Sequence, residues 1–388
     1  MTKRSGFTAL ELVIVLSIVG LAIASIVIGV GILKDMPDEP LPKQQVAAPV
    51  QEPVVEVPEK KAEPIIAKTD ATLDVPSTNA EFSMGLPIDC EVGVDCFIQN
   101  YVDRTEFNGA TDFACGKLTY DGHKGTDFAL RTLADMKNGV NILAAADGVV
   151  RGVRDGMADK EMNSVKPASI KDRECGNGLA IQHGNGWETQ YCHMKNGSLK
   201  VKQGDSVTKG QVLGQVGLSG KTEFPHLHIS VRKGDTHIDP FTATNIHGAC
   251  GVSIQKETLW DASIIKSLDY TPTGYVAAGF NDAVPDSKSI LKRKKTTSII
   301  GSKAPAFIYW TEFYGVQTGD ILQLSIKAPD GKVMTEMKET IKAPKVRYYK
   351  YIGKKNRASL AKGEYVASYS LMRGDKVIAQ GQNKVVVK

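Results

Sequence analysis

The sequence is poor in the residue types that do chemistry, and those it has are unevenly spread. It holds 7 histidines and 6 cysteines in 388 residues, and the last 138 residues contain neither type. No histidine precedes His123 or follows His247. No Cys-x-x-Cys spacing occurs, which removes the usual framework of a cysteine-rich structural zinc site. Tryptophan is limited to 3 residues. Otherwise the composition is ordinary, with 42% hydrophobic and 23% charged residues, the balance of a globular protein. The length allows two or three domains.

The net charge of +5 hides an asymmetry. Residues 251–388 carry 23 Lys/Arg against 12 Asp/Glu, which leaves 25 against 31 for the first 250. A basic C-terminal part is compatible with an anionic neighbour and equally with a solvated lysine-rich surface. The six cysteines, Cys90, Cys96, Cys115, Cys175, Cys192 and Cys250, are an even number in one stretch of chain. In an exported domain that points to disulfides. Cys90 and Cys96 are close enough to close a small loop, and Cys175 and Cys192 flank an expected hairpin.

Export is indicated at the N-terminus. Lys3 and Arg4 precede an apolar run over residues 7–33, interrupted only by Thr8, Glu11 and two serines. As a helix this run spans about 40 Å, enough to cross a bilayer with tilt. The positive flank stays inside, so the rest of the chain faces outward. The expectation is an uncleaved single-pass anchor over residues 1–34, in a bacterial inner membrane, with the remainder in the periplasm. The stretch from Gly6 to Leu16 also resembles the leader of type IV pilins and pseudopilins. In that family a peptidase cuts after the glycine, and a glutamate, here Glu11, helps assembly. Pro37, Pro40 and Pro42 would stop the long helix of such proteins.

Residues 35–80 read as a linker, because eight of the chain's 17 prolines fall between Pro37 and Pro76. Residues 81–253 are rich in glycine and short apolar runs. Strands are expected around Val149–Val153, Gly178–His183, Trp187–Tyr191, Val207–Gly214 and His226–Arg232, with a hairpin turn at Asn185-Gly186. Polar residues 155–174 read as a long loop beside them. Residues 254–388 alternate in the manner of strands, clearest over 320–327 and 363–371, and suit a small β-sandwich. The predicted fold class is therefore mainly β: a barrel or sandwich domain, a C-terminal sandwich and an N-terminal membrane helix.

Five histidines fall into three short motifs. In His123-Lys124-Gly125-Thr126-Asp127, a histidine and an aspartate four apart can turn toward one point, and Gly122 and Gly125 favour an irregular loop over a helix. In His226-Leu227-His228, residues two apart on a strand share a face, so both imidazoles look into one site while Leu227 faces the core. Tyr191-Cys192-His193-Met194 supplies a further imidazole at the end of a strand. Catalytic zinc sites typically have three protein ligands and one open position for water, which two histidines and a carboxylate satisfy.

The three motifs resemble those of the lysostaphin/LytM-type zinc metallopeptidases, which have the duplicated hybrid motif fold. That family shows H-x-x-x-D, a later histidine after Tyr-x, and H-x-H, in this order. The resemblance covers about residues 116–240, including Ala146-Asp147-Gly148-Val149-Val150 and Gly204-Asp205-Ser206-Val207. It implies Zn2+ bound by His123, Asp127 and His228, with His193 and His226 as the catalytic pair that positions water and stabilises the oxyanion. It implies a zinc metalloendopeptidase acting on a peptidoglycan peptide, with the membrane as the other partner and no nucleic acid. Glu223-Phe224-Pro225 departs from the family, which often has a small residue beside the proline. Some family members have lost ligands and activate other wall hydrolases, so a non-catalytic regulator is the competing reading. A component associated with pilus assembly is a third.

Other residues are assigned no chemistry. His183, His237 and His247 read as structural or surface residues and Asn177 as a turn residue. Tyr309 and Trp310 are assigned to the C-terminal sandwich core, and the basic run 292–295 to a solvated loop.

Overall fold

A computed structural model describes residues 82–160, 170–251, 257–283, 297–356 and 358–388. The apolar N-terminal run, the proline-rich segment, the basic run 292–295 and residues 161–169 of the expected long loop lie outside these. Every described residue belongs to the second of two compact units, Glu63–Lys388. That unit is mainly β. Among the described residues helix is confined to short pieces such as Leu133–Asn138, which opens on a capping box between Thr132 and Asp135. No helix among the described residues is long and apolar enough to cross a membrane.

The histidine-bearing part is built on a nine-stranded sheet. Its main path runs Cys96–Asn100, Thr126–Leu130, His226–Lys233, Trp187–Met194, Asn177–Gly184, Gly148–Arg154, Ser206–Val207. Neighbours along the path are antiparallel. The hairpin between Asn177–Gly184 and Trp187–Met194 turns at Asn185 and Gly186, with φ of 49° and 80°. Positive φ at both central residues matches the strand twist, and asparagine and glycine tolerate it best.

Two disulfides fall where the sequence places them. Cys90–Cys96 closes a small loop, and Cys175–Cys192 spans the hairpin. The third, Cys115–Cys250, links residues 135 apart. In a chain-entropy account a cross-link of that span removes about 5 kcal/mol of freedom from the unfolded chain.

The described residues between 274 and 388 form a three-stranded sheet and a five-stranded sheet with a shared core. The long strand Ala306–Val316 contributes to two cores, because side chains alternate across a strand. Phe307, Tyr309 and Phe313 pack toward the five-stranded sheet. Trp310 and Tyr314 point the other way and join the core of the histidine-bearing part, where Tyr314 stacks on Phe97 at 4.8 Å. Trp310 is therefore not a residue of the C-terminal core, as its sequence neighbourhood implied; its parity on the strand is opposite to that of Tyr309. Arg131 closes the same junction, donating to the carbonyls of Gly93, Val94, Tyr275 and Val276.

His183 is a structural residue with a measurable consequence. Its Nδ1–H donates to the Asp147 carbonyl at 2.7 Å, and its Nε2 lies 2.7 Å from the Thr189 hydroxyl. Burial lowers its pKa to about 4, with the Asp147 carbonyl pulling weakly the other way. An unfolded histidine titrates near 6.5, so between these values the unfolded chain binds a proton that the folded chain refuses. Stability from this group is complete above about pH 6.5 and is lost toward about pH 4, by roughly 2–3 kcal/mol. His183→Gln is expected to be less stable than wild type at pH 7, with the gap narrowing on acidification. Urea unfolding of the metal-free proteins at pH 7, 5.5 and 4 measures this; a constant gap would refute it.

Candidate metal centre

The three motifs meet because their strands are adjacent. His226–Lys233 lies between Thr126–Leu130 and Trp187–Met194, and the register sets Asp127 opposite His228 and His228 opposite Cys192. His123 ends the turn that leads into Thr126–Leu130, and its ring lies 5.0 Å from that of His228. Leu227, between the two histidines of its motif, is fully buried in the core beneath.

Three ligand-type atoms converge. His123 Nε2 is 3.2 Å from Asp127 Oδ1 and 3.1 Å from His228 Nδ1, and His228 Nδ1 is 2.8 Å from the same carboxylate oxygen. A tetrahedral zinc site with bonds of about 2.0–2.1 Å has ligand-to-ligand edges of roughly 3.3 Å. The observed edges, 2.8 to 3.2 Å, are within about half an ångström of that size, and the atoms are the nitrogen and oxygen donors zinc accepts. The residues therefore fit a metal of this type. The other grouping of ligand types among the described residues, Cys90, Asp95 and Cys96, has both sulfurs in a disulfide.

The surroundings prepare these atoms. His123 is 2% exposed, and its Nδ1–H donates to the Tyr101 carbonyl at 2.7 Å, which leaves the Nε2 lone pair facing the triangle. Such an outer hydrogen bond fixes tautomer and ring orientation. Burial by itself would raise the Asp127 pKa, but His123 and His226 outweigh it and hold the carboxyl well below the usual range. Burial works against a charge on His123 too, and Asp127 overcomes it to raise that pKa. The cluster thus attracts positive charge to one buried carboxylate.

His193 and His226 flank the triangle. Their rings are 4.6 Å apart, and the His193 ring is 6.1 Å from that of His228. His193 Nδ1–H donates to the Ser219 carbonyl, and His226 Nδ1–H to the Phe224 carbonyl, at 2.8 and 2.9 Å. Each ring therefore keeps an unprotonated Nε2. Burial lowers both pKa values, with the neighbouring His226 and His228 adding to the effect at His193. His193 also has φ of 61°, a left-handed conformation uncommon for a residue with a side chain. Strain of this kind costs about 1–3 kcal/mol and persists only where the surroundings impose it. Here the His193 N–H donates to Cys175 O at 2.8 Å, its carbonyl accepts from Gly217 N at 3.0 Å, and the adjacent Cys192 is disulfide-bonded to Cys175.

Residues 121–240 match peptidase family M23. The chain carries an M23 peptidase domain. Its curated relatives include the peptidoglycan DD-endopeptidase ShyA of Vibrio cholerae, 34% identical over 106 residues, 27% of this chain and 19% of that one. The DD-carboxypeptidase/endopeptidase Mpg of Neisseria meningitidis is 31% identical over 124 residues, 31% of this chain and 23% of that one. The chain thus spans about a fifth of the length of these relatives. Among solved structures, the catalytic domain of the prophage-encoded M23 protein EnpA from Enterococcus faecalis is 26% identical. It covers 37% of this chain and 90% of that one, with a TM-score of 0.26.

All five expected site residues come together, and the histidines set aside in the sequence stay out of the M23 site. His247 is exposed, and His237 lies half-buried in the next strand. Asn177 is a correction: it sits in a strand, fully buried, not in a turn. Its side chain exchanges hydrogen bonds with Met157 N and O and so pins the start of the long polar loop. Sequence reasoning missed Asn100, whose amide contacts Asp127, and Thr222, whose hydroxyl lies 3.1 Å from His226 Nδ1. Neither belongs to a short motif.

Proposed function

We propose that this chain is a membrane-anchored zinc metalloendopeptidase that hydrolyses peptide bonds in peptidoglycan. The observation that carries the reading is the triangle of His123 Nε2, Asp127 Oδ1 and His228 Nδ1, with His193 and His226 beside it. His123, Asp127 and His228 would hold the zinc, and the duplicated hybrid motif is the fold that this ligand order accompanies. Bound zinc would supply Lewis-acid polarisation of a substrate carbonyl and activation of water. The chain's own residues do the rest. His193 and His226, neutral and with Nε2 unprotonated, accept a proton from the attacking water and return one to the leaving amine. In the protonated form either ring donates a hydrogen bond to the developing oxyanion. The peptidoglycan substrate is supported by the relatives, among them a peptidoglycan DD-endopeptidase.

The domain order proposed is anchor 1–34, tether 35–80, peptidase 81–253 and C-terminal β-sandwich 254–388. A tether of that length, roughly 40 Å as a coil and about 145 Å extended, gives an inner-membrane enzyme a search radius in the periplasm. Some non-catalytic regulators of this type have lost ligands, and the presence of all five residues here argues against that reading.

The full chain is expected to fractionate with membranes and to release peptide fragments from purified peptidoglycan, read by chromatography and mass spectrometry. His228→Ala is expected to abolish release. Activity that survives both this substitution and chelation would sink the zinc mechanism.

A further inference from the structure

Asp127 offers two oxygens, and they have different surroundings. Oδ1 faces His228, His123 and His226 at 2.8, 3.2 and 3.5 Å. Oδ2 accepts a hydrogen bond from the Asn100 side-chain amide at 2.8 Å, in a buried setting. The amide is neutral, so it holds the carboxylate without adding a positive charge beside a cation.

Asn100 reaches this oxygen through an irregularity in its strand. Cys96, Phe97 and Ile98 pair with Leu130, Ala129 and Phe128 in regular succession. Continued, that register would set Gln99 opposite Asp127. Instead the pairing shifts, and Asn100 stands opposite Asp127. A bulge of this kind commonly re-aims a side chain beside a functional site. The displaced residue bears the cost: Gln99 is 4% exposed and its Oε1 has no hydrogen-bond partner among the described residues. An unpaired buried acceptor is unfavourable. Regular pairing would lose the Asn100 contact.

We propose that Asn100 is a positioning residue for the metal ligand Asp127, restricting the carboxylate to one-oxygen coordination through Oδ1. The inference rests on the zinc reading above. A carboxylate free at both oxygens can rotate until both bind, which raises the coordination number and fills the position that catalysis needs for water. With Oδ2 engaged by Asn100, that rotation would break a buried hydrogen bond to a charged group.

The full chain, stripped of metal, can be titrated with zinc against a chromophoric chelator. Asn100→Ala and the near-isosteric Asn100→Leu are expected to weaken zinc binding about 10–100-fold, the usual effect of losing an outer partner of a metal ligand. Their metal-free forms should still unfold cooperatively, at a somewhat lower temperature, because Asp127 Oδ2 is left unpaired. Cobalt substitution gives a second readout: the strong visible absorption of four-coordinate cobalt should weaken in the variants as the carboxylate takes a second bond. Folded variants with wild-type zinc affinity and an unchanged cobalt spectrum would overturn the role of Asn100. Should the variants not fold, zinc X-ray absorption of the wild type decides: one carboxylate oxygen in the shell supports the role, and two near-equal oxygens refute it. His123→Ala separates the two levels. Wild type that takes up zinc no better than His123→Ala overturns the zinc reading and this inference together. Wild type that binds zinc while the Asn100 variants match it overturns this inference alone.

Discussion

His193→Ala and His226→Ala will each retain zinc and lose peptide hydrolysis by about 10²–10⁴-fold, the range for a positioned acid–base or oxyanion-stabilising group. Neither residue completes the ligand triangle of His123, Asp127 and His228. Each instead uses Nδ1–H on a backbone carbonyl, of Ser219 or Phe224, and so presents Nε2 in a fixed direction. Burial keeps both rings neutral near pH 7, so each is ready to accept a proton. Zinc content by elemental analysis and turnover on a defined muropeptide separate the two roles. His123→Ala and Asp127→Ala should lose metal and activity together, while His193→Ala and His226→Ala should lose activity alone. A purely structural role for His193 would appear as a lower melting temperature with turnover intact in the surviving folded fraction. Zinc loss from His193→Ala equal to that from His123→Ala would refute the division into ligands and proton-handling residues.

The clustering of these five residues was legible in the sequence because its signals are local, whereas their division into ligands and proton-handling residues came from the family resemblance. His226 and His228 share a strand face by parity, and the glycine-rich spacing of His123 and Asp127 brings both into one loop and strand start. The features that complete the site are not local. Asn100 lies 27 residues from Asp127, and its contact depends on a register shift that no short window encodes. The groups that fix the histidine tautomers are main-chain carbonyls of Tyr101, Ser219 and Phe224, which every residue type possesses. Asn177 between two glycines has the composition of a turn, yet the strand pairs through it because both flanking glycines press against other backbone. Strand alternation was readable over 320–327, where Leu322, Leu324 and Ile326 are buried. The strand holding Tyr309 and Trp310 has nearly every residue buried, so alternation could not reveal that its two faces serve different cores.

Gly125→Ala is expected to lower zinc affinity by more than about 100-fold and to abolish hydrolysis, although Gly125 carries no ligand atom. A Cβ there would stand 2.5 Å from the Ile229 carbonyl oxygen and 2.6 Å from His228 Cε1 and Nε2. The carbonyl belongs to the central strand, whose Ile229 pairs with Thr126 on one side and Tyr191 on the other, so it cannot retreat without opening the sheet. The His228 ring is the softer neighbour. Turning it away takes Nδ1 out of the triangle that it forms with His123 Nε2 and Asp127 Oδ1. Overpacking of this kind also destabilises by about 1–3 kcal/mol. Gly122→Ala is the control, since a Cβ there meets nothing within 4 Å and only its φ of 75° opposes the change. That substitution should cost about 1–2 kcal/mol of stability, the left-handed penalty, and keep the metal. Zinc titration of both variants, with thermal melts of the metal-free forms, tests the argument. Wild-type zinc affinity in Gly125→Ala would show that the sheet and the His228 ring yield more easily than their packing implies.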